Sequence, residues 1–195
     1  MAARRLKFLS ICGSLRRGSY NAAVERALPG LAPDGVTIEA APWIGVIPLY
    51  NQDVKDDEGI PQPVERLADL VRAADGIIIV TPEYNYSIPG VLKNGLDWVS
   101  RVEKQPFRNK PVVLQSASAS LLGGIRAQNH LRQVMVYLEA HVFNKPEVLV
   151  ASAAKRIDEA TGDLTDEDTR DLIRKQLAAF TDFAERIVAA PANAA

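Results

Sequence analysis

Short apolar, β-forming runs alternate along this chain with longer stretches in which apolar residues recur at helical spacing. Leu6-Lys7-Phe8-Leu9-Ser10-Ile11-Cys12 and Ala74-Asp75-Gly76-Ile77-Ile78-Ile79-Val80 read as strands of a parallel sheet, where both faces are covered and apolar residues run on without strict alternation. A second strand is expected from about Val36 to Ala40, and a fourth ends at Gln115-Ser116-Ala117-Ser118. Helical stripes fall near Val64 to Ala73, at Val91, Leu92, Gly95, Leu96 and Val99, at Ala127, Leu131, Val134, Met135 and Leu138 within 124–139, and at Ile173, Leu177, Phe180, Ala184 and Ile187. In the third of these, Arg126, His130, Gln133 and Tyr137 form a second row, either solvated or a subunit contact. Lys93, Asn94 and Asp97 fall off the second stripe. Thr165-Asp166-Glu167-Asp168 has the Ser/Thr-x-x-acid form of a helix start, and Pro191 to Ala195 predict a frayed tail. Strands alternating with helices predict an α/β fold built on a parallel sheet.

Two loops carry the polar chemistry. The first strand breaks at Gly13 into Ser14-Leu15-Arg16-Arg17-Gly18-Ser19-Tyr20-Asn21, and a helix begins near Tyr20. A helix N-terminus presents unpaired N–H groups and the positive end of the macrodipole, so an anion placed there is stabilised. Ser14 and Ser19 add hydroxyls, Asn21 an amide, and Arg16 a charged fork. The loop lacks the Gly-Lys-Ser/Thr ending of a triphosphate loop and the G-x-G-x-x-G spacing of a dinucleotide fold, which favours a terminal monophosphate. The second loop begins at Thr81-Pro82, where proline cannot continue a central ladder, and runs on through Glu83-Tyr84-Asn85-Tyr86-Ser87. Its tyrosines and backbone groups suit a flat ring. Taken singly, the first loop also reads as a solvated turn, and the tyrosines as residues packing on their own helix. Together they lie behind the first and third strands, which in a sheet of order 2-1-3-4-5 flank the ligand crevice, and so point to a flavin with a terminal phosphate, FMN.

At 195 residues the chain fits a single domain, 1–195. Its 23 basic and 24 acidic residues, net charge -1, argue against a nucleic-acid surface. The apolar run after Arg4 and Arg5 is too short for a secretory segment, and no stretch is long enough to span a membrane, so the expected compartment is the cytoplasm. The single cysteine, Cys12, excludes an internal disulfide and reads as a small buried hydrophobe, with a redox-active thiol as the alternative. His130 and His141 have no metal spacing, so no metal is expected.

Between the second strand and the following helix lies a long segment with Trp43, Ile44, Val46, Ile47, Leu49 and Tyr50. Loops of that length are functional or mobile. It either packs on the sheet edge or forms a wall over the ligand or a subunit contact. Arg101 closes the helix behind the second loop, as an anion attractor or as a cation matched to a helix C-terminus. Glu83 reads as a loop- and ring-positioning residue rather than a general base.

The strings G-S-L-R-R-G-S-Y-N and T-P-E-Y-N-Y-S-I-P-G-V-L-K-N-G-L-D-W-V-S-R, with Gly123 to Gln128, His130 to Gln133 and Asn144-Lys145-Pro146-Glu147, closely resemble the NAD(P)H-dependent FMN reductase family, in its chromate and quinone reductase branch. The resemblance spans nearly the whole chain. It implies a flavodoxin-like, doubly wound, five-stranded parallel sheet of order 2-1-3-4-5 with helices on both faces. It implies that Ser14, Arg16, Ser19 and Asn21 hold the FMN phosphate with the Leu15-to-Tyr20 backbone. Pro82, Glu83, Tyr84, Asn85 and Tyr86 would edge the ring, and Ser118 would complete the ring or ribityl contacts. It further implies NADPH or NADH as donor, small acceptors such as quinones, chromate, azo compounds or flavins, and a homodimer or homotetramer. Some relatives carry an aromatic residue where this chain has Asn129. No catalytic acid or base is expected, since the flavin carries the electronic chemistry. A flavodoxin-like electron carrier and a non-catalytic flavin-binding regulatory module are the alternatives. Arg16 and the near-neutral charge speak against the carrier.

Overall fold

In the computed structural model, which describes residues 5–189, five strands form one sheet of order β2-β1-β3-β4-β5. They are β1 (Leu6–Cys12), β2 (Val36–Ala40), β3 (Gly76–Val80), β4 (Pro111–Ala117) and β5 (His141–Val150). Every neighbouring pair is parallel. The expected flavodoxin-like order is therefore the observed one. The six helices among the described residues are α1 (Tyr20–Ala27), α2 (Gln52–Glu58), α3 (Gln62–Ala73), α4 (Gly90–Val99), α5 (Ile125–Tyr137) and α6 (Glu167–Ala189). None is long and apolar enough to cross a membrane. The expected tail at Pro191 to Ala195 lies outside the described residues.

Alternate residues of a strand face opposite sides, and the sheet divides its apolar residues accordingly. Leu9, Ile11, Ile77, Ile79, Val112 and Leu114 meet α3, α4 and α5 on one face. Phe8, Ile78, Val80 and Val113 meet α1 and α6 on the other. β3 and β4 are buried along their whole length. This explains why they read as unbroken apolar runs rather than alternating ones. The third strand begins at Gly76, later than expected, because Asp75 caps the start of the pairing with β1: its carboxylate accepts the Lys7 N–H at 2.9 Å.

Several polar residues depart from expectation. The segment 41–61 is not a continuous loop: it carries a 3-10 turn, Ile44–Val46, and the short helix α2, capped by Asn51. Ile44 and Ile47 enter the core, whereas Trp43, Val46 and Leu49 stay exposed. Asn94, set apart from the core stripe in sequence, is buried, and it fastens this segment to α4. Its amide donates to Pro48 O at 2.8 Å and its Oδ1 accepts the Tyr50 N–H at 2.8 Å. The cap of α6 sits one residue later than Thr165. Asp166 accepts the Thr169 N–H at 2.9 Å, and its carboxyl is held below the usual range by Thr169 and Arg156. Gln115, Gln128 and Gln176 are buried and bond one another's surroundings: Gln115 donates to Gln176 at 2.8 Å, and Gln176 to Pro146 O at 2.7 Å, where β5 loses register with β4.

Candidate active site

The loops after β1, β3 and β4 converge at the carboxyl end of the sheet. Gly13 donates its N–H to Val80 O at 2.8 Å, and a Cβ there would lie 2.7 Å from Thr81 Oγ1. Only glycine lets the first loop lie against the second. Ser19 is the N-cap of α1, with Oγ accepting the N–H groups of Asn21 and Ala22 at 3.2 and 3.3 Å. Those two helix donors are therefore occupied. The Ser19 hydroxyl proton is left to point away from the helix. Ser14 Oγ accepts the Arg16 N–H at 3.4 Å. The Arg16 guanidinium stands 5.4 Å above the Tyr20 ring, and among the described residues neither it nor Arg17 has a carboxylate partner.

Asn21, expected at the phosphate, also has its side-chain amide engaged with the end of β4. Its amide donates to Ala117 O at 2.9 Å and its Oδ1 accepts the Ala117 N–H at 2.8 Å. The side chain satisfies two backbone groups at the end of β4 that no further strand reaches, and so clamps α1 to that strand.

The second loop is a tight turn. Tyr84 and Ser87 exchange backbone hydrogen bonds of 2.9 and 3.0 Å, with Asn85 and Tyr86 at φ 49° and 69°. Positive φ at both central residues is the type I′ arrangement, which suits Asn but is uncommon for Tyr. Arg126 holds the turn from above, 3.9 Å over the Tyr86 ring. The same guanidinium donates to Glu83 Oε1 at 3.1 Å, while Glu83 Oε2 accepts the N–H groups of Arg126 and Ala127 at 3.0 and 3.4 Å. The N-cap of α5 is Gly124, at φ 90° and without a capping side chain. Glu83 supplies from another loop the acceptor this helix lacks. Its expected positioning role thus acts through α5. His130 Nδ1 adds a contact of 3.0 Å to Ser87 Oγ.

Of the expected site residues, Ser14, Arg16, Ser19, Tyr20, Asn21, Pro82, Glu83, Tyr84 and Ser118 line one cleft of about 150 Å³. Leu15 faces a neighbouring depression, and Asn85 and Tyr86 form the exposed tip of the turn. Ser118 accepts the Ser120 N–H at 3.1 Å. Ala117 and Ala119 also line the cleft; as alanines at a strand end they carried no chemical signal in the sequence. The sequence puts Arg126 in the second row of α5, solvated or at a subunit contact, and nothing in its spacing connects it to a turn forty residues earlier. Arg101 lies 5.6 Å over the Tyr50 ring, beside the 41–51 segment and outside the cleft lining. Cys12 is half-buried. Burial first, then the nearby Glu25 carboxylate, pushes its thiol up to about 11, so at neutral pH it is a protonated thiol and no nucleophile.

The donor set fits FMN. Hydroxyls and a guanidinium without a carboxylate partner among the described residues lie at the phosphate loop, and an aromatic turn whose acid is already engaged borders the cleft. Comparison with known proteins agrees. Residues 6–155 match the family of NADPH-dependent FMN reductases. The chain is 47% identical over 185 residues to a quinone reductase of Escherichia coli (strain K12), covering 95% of this chain and 98% of that one. It is 50% identical over 182 residues to an NAD(P)H-dependent FMN reductase of Pseudomonas aeruginosa, covering 93% and 97%. The flavoenzyme NAD(P)H:(acceptor) oxidoreductase FerB of Paracoccus denitrificans superposes with a TM-score of 0.82 at 31% identity, covering 93% and 98%. With its sheet order, its convergent loops and these relatives, the chain belongs to the NADPH-dependent FMN reductase family, oxidoreductases that use FMN with NAD(P)H as electron donor.

Proposed function

We propose that the cleft between the Gly13–Asn21 loop and the Tyr84–Ser87 turn is the FMN site, and that donor and a small acceptor such as a quinone use the ring face beside Tyr84 in turn. The observation that carries this reading is that the loop between β1 and α1 gathers the buried hydroxyls of Ser14 and Ser19 with Arg16, which has no carboxylate partner among the described residues. Bound FMN supplies the two-electron chemistry. Arg16 and the two serines neutralise and bond its phosphate, and the Leu15-to-Tyr20 backbone lies alongside. Pro82 and Tyr84 border the ring, Ser118 closes the β4 side, and Glu83 keeps the turn docked on α5. No side chain at the cleft is arranged as a general acid or base. Quinones as acceptors are supported by the names of the relatives. Assembly as a homodimer or homotetramer is supported by Val136 and Tyr137, which stand exposed on α5.

The test is purification, cofactor release and titration. Denatured protein is expected to release FMN, and Arg16→Ala to weaken FMN by about 1.5–3 kcal/mol, roughly ten- to hundredfold, with the fold intact. A predominant FAD peak, or an FMN dissociation constant changed less than about twofold, would overturn the assignment.

A further inference from the structure

On the β2 side of the phosphate loop lies a second open depression, of about 610 Å³. It shares Ser14 and Arg16 with the cleft, so the two adjoin along the phosphate loop. We infer that this depression takes the adenosine-phosphate half of the nicotinamide donor, with the purine stacked on Trp43 and the phosphates at Arg17. The inference rests on the donor reading above and adds to it where the non-reacting half of the donor lies.

Trp43 is 58% exposed, yet its ring is not free to swing. A Cβ on Gly45 would lie 2.6–2.7 Å from three atoms of the indole, so the ring rests directly on the Gly45 backbone. The segment that carries it is itself fastened to α4: Asn94 bonds Pro48 and Tyr50, and Trp98 Nε1 donates to Pro48 O at 2.9 Å. An indole pinned on one side and open to solvent on the other is a stacking platform that loses little entropy when a base settles on it. Arg17 has no carboxylate among the described residues, and a guanidinium fork matches phosphate oxygens. On the floor, Glu25 accepts the Ser10 hydroxyl on Oε1 at 3.0 Å; its second oxygen is an acceptor for a purine amino group or a ribose hydroxyl. Leu15, 42% exposed, completes an apolar wall.

The depression on the other side of α1, about 630 Å³, also touches Arg16 and Arg17. It suits a phosphorylated nucleotide less well. Its Arg26 is engaged with Gly162 O at 2.7 Å, and Asp158 and Glu159 line it with negative charge. It offers no exposed indole.

The test is calorimetry of ADP-ribose, the donor without its nicotinamide, into FMN-loaded protein. Wild type should bind it, Trp43→Leu and Arg17→Ala should each weaken it about tenfold or more, and Trp43→Phe should stay within about threefold. In turnover, Trp43→Leu should raise KM for NAD(P)H while leaving kcat/KM for reduced nicotinamide mononucleotide, which lacks the adenosine half, unchanged. Failure of wild type to bind ADP-ribose, or binding that survives both Trp43→Leu and Arg17→Ala within about twofold, overturns the inference. So does a loss caused by Arg26→Ala with Trp43→Leu silent. If wild type oxidised neither NAD(P)H nor the mononucleotide, the donor reading itself would fall, whereas the calorimetry reads the Trp43 site without turnover.

Discussion

Glu83 spends both carboxylate oxygens on the start of α5, at 3.0–3.4 Å from two backbone N–H groups and the Arg126 guanidinium. Beside a flavin ring, an acid in this place invites assignment as a proton donor, but a carboxylate already holding three donors has little capacity left for substrate. Its environment is that of a helix cap supplied in trans, made necessary by Gly124, which cannot accept a Cβ because Ser116 would lie 2.8 Å away. Glu83→Gln keeps one acceptor oxygen and loses the charge. Thermal or urea unfolding should show a loss of about 1–2 kcal/mol, while turnover falls by less than about tenfold, below the ~10²–10⁴ expected of a general acid–base catalyst. A thousandfold loss of rate with FMN still bound would instead assign Glu83 a proton-transfer role. The same scale explains what the sequence could not reveal about Asn21 and Arg126. Asn21 carries a group suited to a phosphate, and the same amide also bonds both backbone groups of Ala117, ninety-six residues away, a partner too distant for the sequence pattern to show.

At the scale of elements, the boundaries of β1 and β2 and the start of α4 follow from apolar period and from glycine and proline punctuation, so they were legible in the sequence; α4 ends at Val99, two residues before the expected Arg101. The buried polar residues were not, because their partners are distant in sequence. Asn94 is the example with a consequence for the site, since it and Trp98 hold the segment that carries Trp43. With Asn94→Ala, Pro48 O keeps the Trp98 indole donor at 2.9 Å, and the Tyr50 N–H is left without its acceptor. Stability should fall by about 1–3 kcal/mol, the cost of an unsatisfied buried donor. Hydrogen exchange should rise across residues 47–51 while β1 and β3 keep their protection, since local opening draws on local contacts. Equal deprotection of the central strands would mean that this segment unfolds only with the whole domain. The cap at Asp166 teaches a smaller lesson. The Thr-x-x-acid pattern located the helix start, but the capping oxygen belongs to Asp166, which accepts the Thr169 N–H and also Arg156 at 2.6 Å.

The whole molecule places its chemistry at a single edge. Order β2-β1-β3-β4-β5 brings the ends of β1, β3 and β4 side by side, both sheet faces are sealed by apolar helices, and the loops beyond those three strand ends are the ones that meet. In the proposed site the ring is bordered by Pro82, which is buried, and Tyr84, which is 50% exposed, so a flat ligand lodged there would have its open side toward Tyr84. One open face has room for one planar partner at a time. The donor's adenosine half, lying toward Trp43, does not relieve that restriction, because its nicotinamide must still occupy the face the acceptor needs. Donor and acceptor should therefore exclude each other. Initial rates of NAD(P)H oxidation at several fixed quinone concentrations should give parallel double-reciprocal lines, and high quinone should inhibit competitively against the donor. Intersecting lines would require both to be bound together, and would place the acceptor elsewhere than on the face beside Tyr84.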